Sequence, residues 1–309
     1  MRVVFLGSPP FATPVLARLV ASRFRPLAIV TQPARAQGRG RKLAESGVAA
    51  LARADGIELL EPASVREPAV LERLRALAPD VFLVVSYGEL LRAEFLAIPR
   101  LVALNVHPSL LPRWRGATPV PAALLAGDAL TGVAIQKMAR ELDAGDLLLV
   151  RETPIRALET AGELLARLAE WSGELVLEAL ELVDSGRAVY TPQDPARATH
   201  CRKLTKESGR IDWSKPAREL EHLVRAMNPW PGATTTLPDG TPIAVWRARA
   251  LDSAPATPGT ILESSKRLLV AAGSGALELC EVQQPGKRPL PASDWLRGAR
   301  LAPLAALGR

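Results

Sequence analysis

The run Val81-Phe-Leu-Val-Val-Ser86 holds five apolar residues in succession, with no polar residue alternating between them. A strand that reads this way is buried on both faces, and such strands belong to parallel sheets covered by helices on each side. The flanking pattern agrees. Val3–Leu6, Leu27–Thr31, Leu101–Val106 and Gly132–Met138 read as further strands. Helical patterns fall between them: Pro14–Ala21 with Thr13 as N-cap, Ser46–Asp55, Glu67–Ala78, Pro119–Ala126, and the long amphipathic stretch Thr160–Ser185. Alternating strand and helix predict an α/β domain over residues 1–188, built on a parallel sheet with helices on both faces.

The pattern then changes. Residues 189–206 mix Pro, Gln, Asp and Thr and read as a linker. A helix over Ala217–Met227 follows, then short strands at Ile243–Ala248, Gly259–Ile261, Leu268–Ala271 and Ala276–Val282, separated by turns such as Pro238-Asp-Gly240. Residues 207–309 are therefore expected to form a small β domain, a barrel by strand length and spacing. Net charge is +7, and it is uneven: 16 Lys/Arg against 10 Asp/Glu from residue 200 onward, 23 against 22 before it. The basic half suits a polyanionic partner, and equally a solvated basic surface. Two cysteines, Cys201 and Cys280, are too few for a disulfide framework and fit a reducing cytoplasm. No CxxC or HxxxH spacing accompanies them, so no metal site is expected. No apolar run approaches the ~18 residues of a membrane helix, and the N-terminal Met1–Gly7 reads as a strand rather than a signal peptide.

The chemistry concentrates in Asn105-Val-His107-Pro-Ser109-Leu-Leu-Pro112-Arg-Trp-Arg-Gly116. Asn105 and His107 stand two apart at the end of an apolar strand, which puts both side chains on one face. An amide donor beside an imidazole suits acyl-type transfer, where an oxyanion is held and a proton moved. Glu141-Leu-Asp143-Ala-Gly-Asp146 follows the Gly132–Met138 strand; Asp143 could support His107, although on its own the segment reads as a solvated turn. Arg35-Ala-Gln-Gly-Arg39-Gly-Arg41-Lys42 carries four cations and no acid, a loop fit for phosphates or simply a basic surface. After the first strand, Gly7-Ser-Pro-Pro-Phe11 puts two prolines where a dinucleotide or Walker loop needs backbone amides, which disfavours both.

Together these segments resemble one family over the whole length, the bacterial methionyl-tRNA formyltransferases. The motifs are Gly7-Ser-Pro-Pro-Phe11, Thr31-Gln-Pro33 with Gly38-Arg-Gly40, Val85-Ser-Tyr87-Gly88, Asn105 to Gly116, Leu142-Asp143-Ala-Gly-Asp146, Lys203-Leu-Thr-Lys206 with Arg210-Ile-Asp-Trp213, and Arg225-Ala-Met-Asn-Pro-Trp-Pro231. Arg35-Ala-Gln37 departs from the Asp-Arg-Pro run expected there. The resemblance implies a Rossmann-like catalytic domain followed by an OB-like barrel that holds tRNA. It implies Asn105, His107 and Asp143 as the catalytic set. Ser109, Leu110, Leu111 and Pro112, with Val85, Tyr87 and Gly88, would line the site for 10-formyltetrahydrofolate. Arg35, Arg39, Arg41 and Lys42 would meet methionyl initiator tRNA. No metal and no membrane partner are expected, and the chain is expected to be a monomer. In the expected reaction the amine attacks the formyl carbon directly, Asn105 and a protonated His107 stabilise the oxyanion, and Asp143 supports the charge on His107.

Overall fold

The computed structural model describes residues 1–37, 42–299, 301–302 and 304–308. In chain order the elements are β1 (Val3–Gly7), α1 (Ala12–Val20), β2 (Ala28–Val30), β3 (Arg35–Gln37), β4 (Lys42–Ala44), α2 (Gly47–Ala54), β5 (Glu58–Leu60), α3 (Pro68–Ala76), β6 (Val81–Val85), α4 (Ala93–Leu96), β7 (Val102–His107), β8 (Arg115–Gly116), α5 (Pro119–Ala126), β9 (Leu130–Lys137), β10 (Leu147–Pro154) and α6 (Ala161–Asp184). They are followed by β11 (His200–Cys201), α7 (Ala217–Met227), β12 (Ala233–Thr236), β13 (Pro242–Leu251), β14 (Ile261–Glu263), β15 (Leu268–Ala271), β16 (Ala276–Gln283), β17 (Leu290–Pro291) and α8 (Ala292–Leu296). Two compact units result. One comprises residues 1–116, 131–153 and 165–200; the other comprises 117–130, 154–164 and 201–309.

The first unit is built on a seven-stranded sheet of order β10-β9-β7-β6-β1-β2-β5. β5, β2, β1, β6 and β7 run parallel. Every residue of β1 and β6 is buried, as the apolar run at 81–85 requires of a strand covered on both faces. On one face Val4, Leu6, Phe82 and Val84 join Leu71 and Leu74 of α3 and Phe95 of α4 in a common core. The Phe82 and Phe95 rings stand 4.9 Å apart, centre to centre. Elsewhere in the unit α6 runs alongside α1, where a Cβ on Gly173 would meet Arg18 Cβ at 2.9 Å and Arg18 pairs with Glu174 at 2.6 Å.

Several elements differ from their sequence reading. Helix α1 begins at Ala12 rather than at Pro14, because the carbonyls of Pro9 and Pro10 accept the Ala12 and Thr13 amides and start the turn early. Phe11, not Thr13, is its N-cap. Strand β9 pairs antiparallel to β7, so the parallel sheet acquires an antiparallel edge. The three-residue edge strand β5 and the half-exposed β10 carry too little periodic signal to stand out. Ser46 caps α2 by accepting the Ala49 amide at 3.1 Å. Ser46→Ala is expected to cost about 1 kcal/mol, read as a lowered urea midpoint with unchanged slope.

In the second unit an antiparallel sheet of order β12-β13-β16-β15-β14, with β17 on β16, gives the OB-like curled domain. The β13–β16 register shifts on either side of Arg247, a bulge that bends the long strand. It presents the Trp246 indole N–H to Gln283 Oε1 at 2.9 Å. Among the described residues no helix is long and apolar enough to cross a membrane.

Candidate active site

The carboxyl ends of β6 and β7 position the site. Asn105 opposes Gln136 and His107 opposes Ala134 across the β7–β9 ladder. The strand geometry therefore turns Asn105 and His107 to one side, and Asp143 meets both there. Asp143 lies in the turn between β9 and β10 at φ 53°, a left-handed conformation that Asp tolerates better than most residues. Its Oδ2 accepts the Gly116 amide at 2.8 Å, and its Oδ1 accepts from Gln136 Nε2 at 3.1 Å and from Asn105 Nδ2 at 3.5 Å. His107 Nδ1 stands 3.6 Å from Asp143 Oδ2. On the far side of the ring, Nε2 lies 2.9 Å from the Trp114 carbonyl. A carbonyl only accepts, so Nε2 carries the hydrogen and Nδ1 is the nitrogen left to gain or lose a proton. Trp114 sits at φ 64°, a backbone arrangement costing on the order of 1–3 kcal/mol that aims this carbonyl at the ring.

His107 is 5% exposed. Burial pushes its imidazole below the ordinary range, opposed by the Asp143 carboxylate and the Trp114 carbonyl. Burial thus favours the neutral ring before reaction, and the protonated ring expected from sequence belongs to the intermediate. The neutral ring is a proton acceptor whose charged form would find a partner at each nitrogen.

Around this centre, Ser109 is wholly buried and donates its hydroxyl to the Arg113 carbonyl at 2.7 Å, closing the loop that follows β7. Leu111 is buried, whereas Leu110 and Pro112 are partly exposed; Leu110 Cδ2 lies 2.6 Å from where a Cβ on Gly132 would stand. Val85 ends β6 with its side chain fully buried. Tyr87 is 3% exposed and packs in the core cluster. Burial, with Glu89 and Glu67 nearby, holds its phenol above the ordinary range. Gly88 follows at φ 84°. In the 85–88 segment it is therefore the backbone, more than the Val85 or Tyr87 side chain, that is open to a ligand. Of the basic loop, Arg35 opens β3 and Lys42 opens β4, which pair as a short antiparallel ladder; Arg39 and Arg41 lie outside the described residues.

Two residues passed over in the sequence reading belong to the site. Gln136 is 2% exposed and faces Asp143. Gln193 donates to the carbonyls of Asp143 and Gly145 at 2.9 and 2.7 Å. Among the described residues, no group of three or more His, Cys, Asp or Glu side chains is arranged to hold a metal ion.

An amide, an imidazole and a carboxylate meeting at the strand ends of such a sheet form a centre suited to acyl transfer onto an amine. The comparisons narrow the class. Residues 1–180 match the family profile described as formyl transferase, and residues 203–300 match the formyl transferase C-terminal domain. The methionyl-tRNA formyltransferase of Methylococcus capsulatus is 46% identical over 98% of this chain and 98% of its own length. That of Roseiflexus castenholzii is 45% identical over 100% and 99%. The chain belongs to the methionyl-tRNA formyltransferase family. Among solved structures, HypX from Aquifex aeolicus, crystallised with tetrahydrofolic acid, shares the fold with a TM-score of 0.63 at 21% identity. That match covers 98% of this chain, which spans about half (49%) of HypX.

Proposed function

We propose that this chain transfers the formyl group of 10-formyltetrahydrofolate to the amino group of methionyl initiator tRNA, giving N-formylmethionyl-tRNA for translation initiation. Full-length membership of the family supports the substrates. The observation that carries the chemistry is the meeting of Asn105, His107 and Asp143 at one strand end.

In this reading the neutral amine attacks the formyl carbon, and the formyl oxygen takes up negative charge. Asn105 donates to that oxygen; one such donor is typically worth ~3 kcal/mol. His107 Nδ1 accepts the proton lost by the attacking nitrogen. The imidazolium is then held between the Trp114 carbonyl and the Asp143 carboxylate. The carbon–N10 bond breaks and the proton passes from His107 to N10, releasing tetrahydrofolate. The folate would lie along Ser109–Pro112 and the 85–88 backbone, with the Leu110 and Pro112 side chains toward it. Arg35, Arg39, Arg41 and Lys42 would meet tRNA phosphates. Residues 1–188, with the segment to residue 200 docked on them, would serve catalysis, and 207–309 would bind tRNA, with the protein a cytoplasmic monomer.

The test is release of tetrahydrofolate from 10-formyltetrahydrofolate on addition of methionyl initiator tRNA or of glycinamide ribonucleotide. Release with the charged tRNA alone supports the reading. Release with the small amine alone, or with neither, overturns it. A pH dependence follows from the buried ring. Because the folded pKa of His107 lies below its ordinary value near 6.5, the neutral base persists to lower pH than a free imidazole would allow. The acid limb that His107 contributes to the kcat/KM–pH profile is expected below pH ~6.5; a His107→Ala variant whose residual activity keeps that limb would remove His107 from the role of base. The same shift acts on stability. Between the folded and unfolded pKa values the unfolded chain binds more protons, so the ring's contribution is complete above the unfolded value and is lost as pH falls through the folded one.

A further inference from the structure

Gln193 comes from the irregular segment 189–206, 50 residues from Asp143, yet its amide is committed at both ends. Its Oε1 accepts from Arg115 Nε at 3.1 Å and Arg115 Nη2 at 2.9 Å. Its Nε2 donates to the Asp143 carbonyl at 2.9 Å, the Gly145 carbonyl at 2.7 Å and Gln136 Oε1 at 3.3 Å. A guanidinium only donates and a carbonyl only accepts, so the Gln193 amide cannot be turned over. That fixes Gln136 in turn. With its Oε1 facing Gln193, Gln136 presents Nε2 to Asp143 Oδ1 at 3.1 Å. Arg115, the head of the relay, is 4% exposed. The segment carrying Gln193 is stitched down on both sides. Thr191 exchanges backbone hydrogen bonds with Leu147 at 2.8 and 2.9 Å, and the Thr199 carbonyl accepts the Arg115 amide at 2.8 Å.

We propose that Gln193 is a positioning residue for formyl transfer: it holds the 143–145 turn through two carbonyls and orients Gln136, so that the Asp143 carboxylate stays on Asn105 and His107. The relay runs Arg115, Gln193, Gln136, Asp143. The segment that looks like a linker in sequence thus completes the centre. This inference rests on the catalytic reading of Asp143 given above.

The test is single-turnover formyl transfer by the full chain carrying Gln193→Met, Asp143→Ala or both, with KM for each substrate and thermal midpoints recorded. Gln193→Met is expected to lower the rate about 10- to 100-fold with both KM values within about twofold of wild type. In the Asp143→Ala background the same change is expected to have almost no further effect, because a residue that acts through Asp143 has nothing left to position. Losses that multiply in the double variant, or that track a fall in thermal midpoint, would overturn the positioning role while leaving Asp143 catalytic. Wild-type turnover in Asp143→Ala would instead sink the catalytic reading itself. Should Gln193→Met fail to fold, Gln136→Met decides: it removes the Gln136 donor to Oδ1 and the acceptor facing Gln193, and an unchanged rate overturns the relay.

Discussion

Turnover by a His107→Ala variant is expected to fall about 100- to 10,000-fold, while 10-formyltetrahydrofolate binding stays within a few-fold of wild type. The asymmetry follows from where the ring sits. His107 is 5% exposed, between the Trp114 carbonyl and Asp143, and the residues assigned to folate lie farther along the loop and on β6. Removing the ring takes away the only imidazole of the proposed catalytic set, and with it the hydrogen bond to the Trp114 carbonyl and the contact with Asp143. Some loss of stability accompanies this, because truncating a buried ring to a methyl group leaves a cavity. The measurement is single-turnover tetrahydrofolate release alongside folate affinity from quenching of intrinsic fluorescence. Turnover near wild type would end the assignment. A proportional collapse of folate affinity would move His107 from catalysis to binding.

How much of this was legible in the sequence differs from residue to residue. The parallel sheet was legible because β1 and β6 are buried on both faces and so lack polar alternation. Asn105 and His107 were legible because strand periodicity alone puts positions i and i+2 on one side, and because polar residues stand out at the end of an apolar run. Asp143 was legible only as a motif; nothing local distinguishes a carboxylate that receives a backbone amide from residue 116 from one that caps a solvated turn. Gln136 reads as an ordinary polar residue near a strand end, and its burial depends on pairing with β7. Gln193 is hidden more deeply. Pro, Gln, Asp and Thr composition marks a segment without its own core, and the backbone bonds that dock it to Leu147 and Arg115 are set by the tertiary fold. The downward push on the His107 imidazole was likewise out of reach, since it comes from burial and not from neighbours in sequence.

The second large effect is expected at Gly145, where a single methyl group meets the backbone. A Cβ built there would stand 1.7 Å from the Lys137 carbonyl oxygen and 2.9 Å from its carbon. No side-chain rotation relieves that contact, so either the end of β9 or the 143–146 turn must move. Both carry the site. Lys137 follows Gln136 and donates its amide to the Asp146 carbonyl at 2.9 Å, while the Gly145 carbonyl accepts from Gln193 at 2.7 Å. Overpacking of this kind typically costs 1–3 kcal/mol, and displacing a catalytic group by about 1 Å can cost about 100-fold in rate. Gly145→Ala is therefore expected to lose both, with a lowered urea midpoint and kcat down about 100-fold. Gly186→Ala is the matched control: its φ of 69° strains an alanine as well, but nothing lies within 4 Å of the added methyl. It is expected to lose stability and keep kcat. If Gly145→Ala retains wild-type kcat, the placement of Asp143 does not depend on the close approach of this turn to β9.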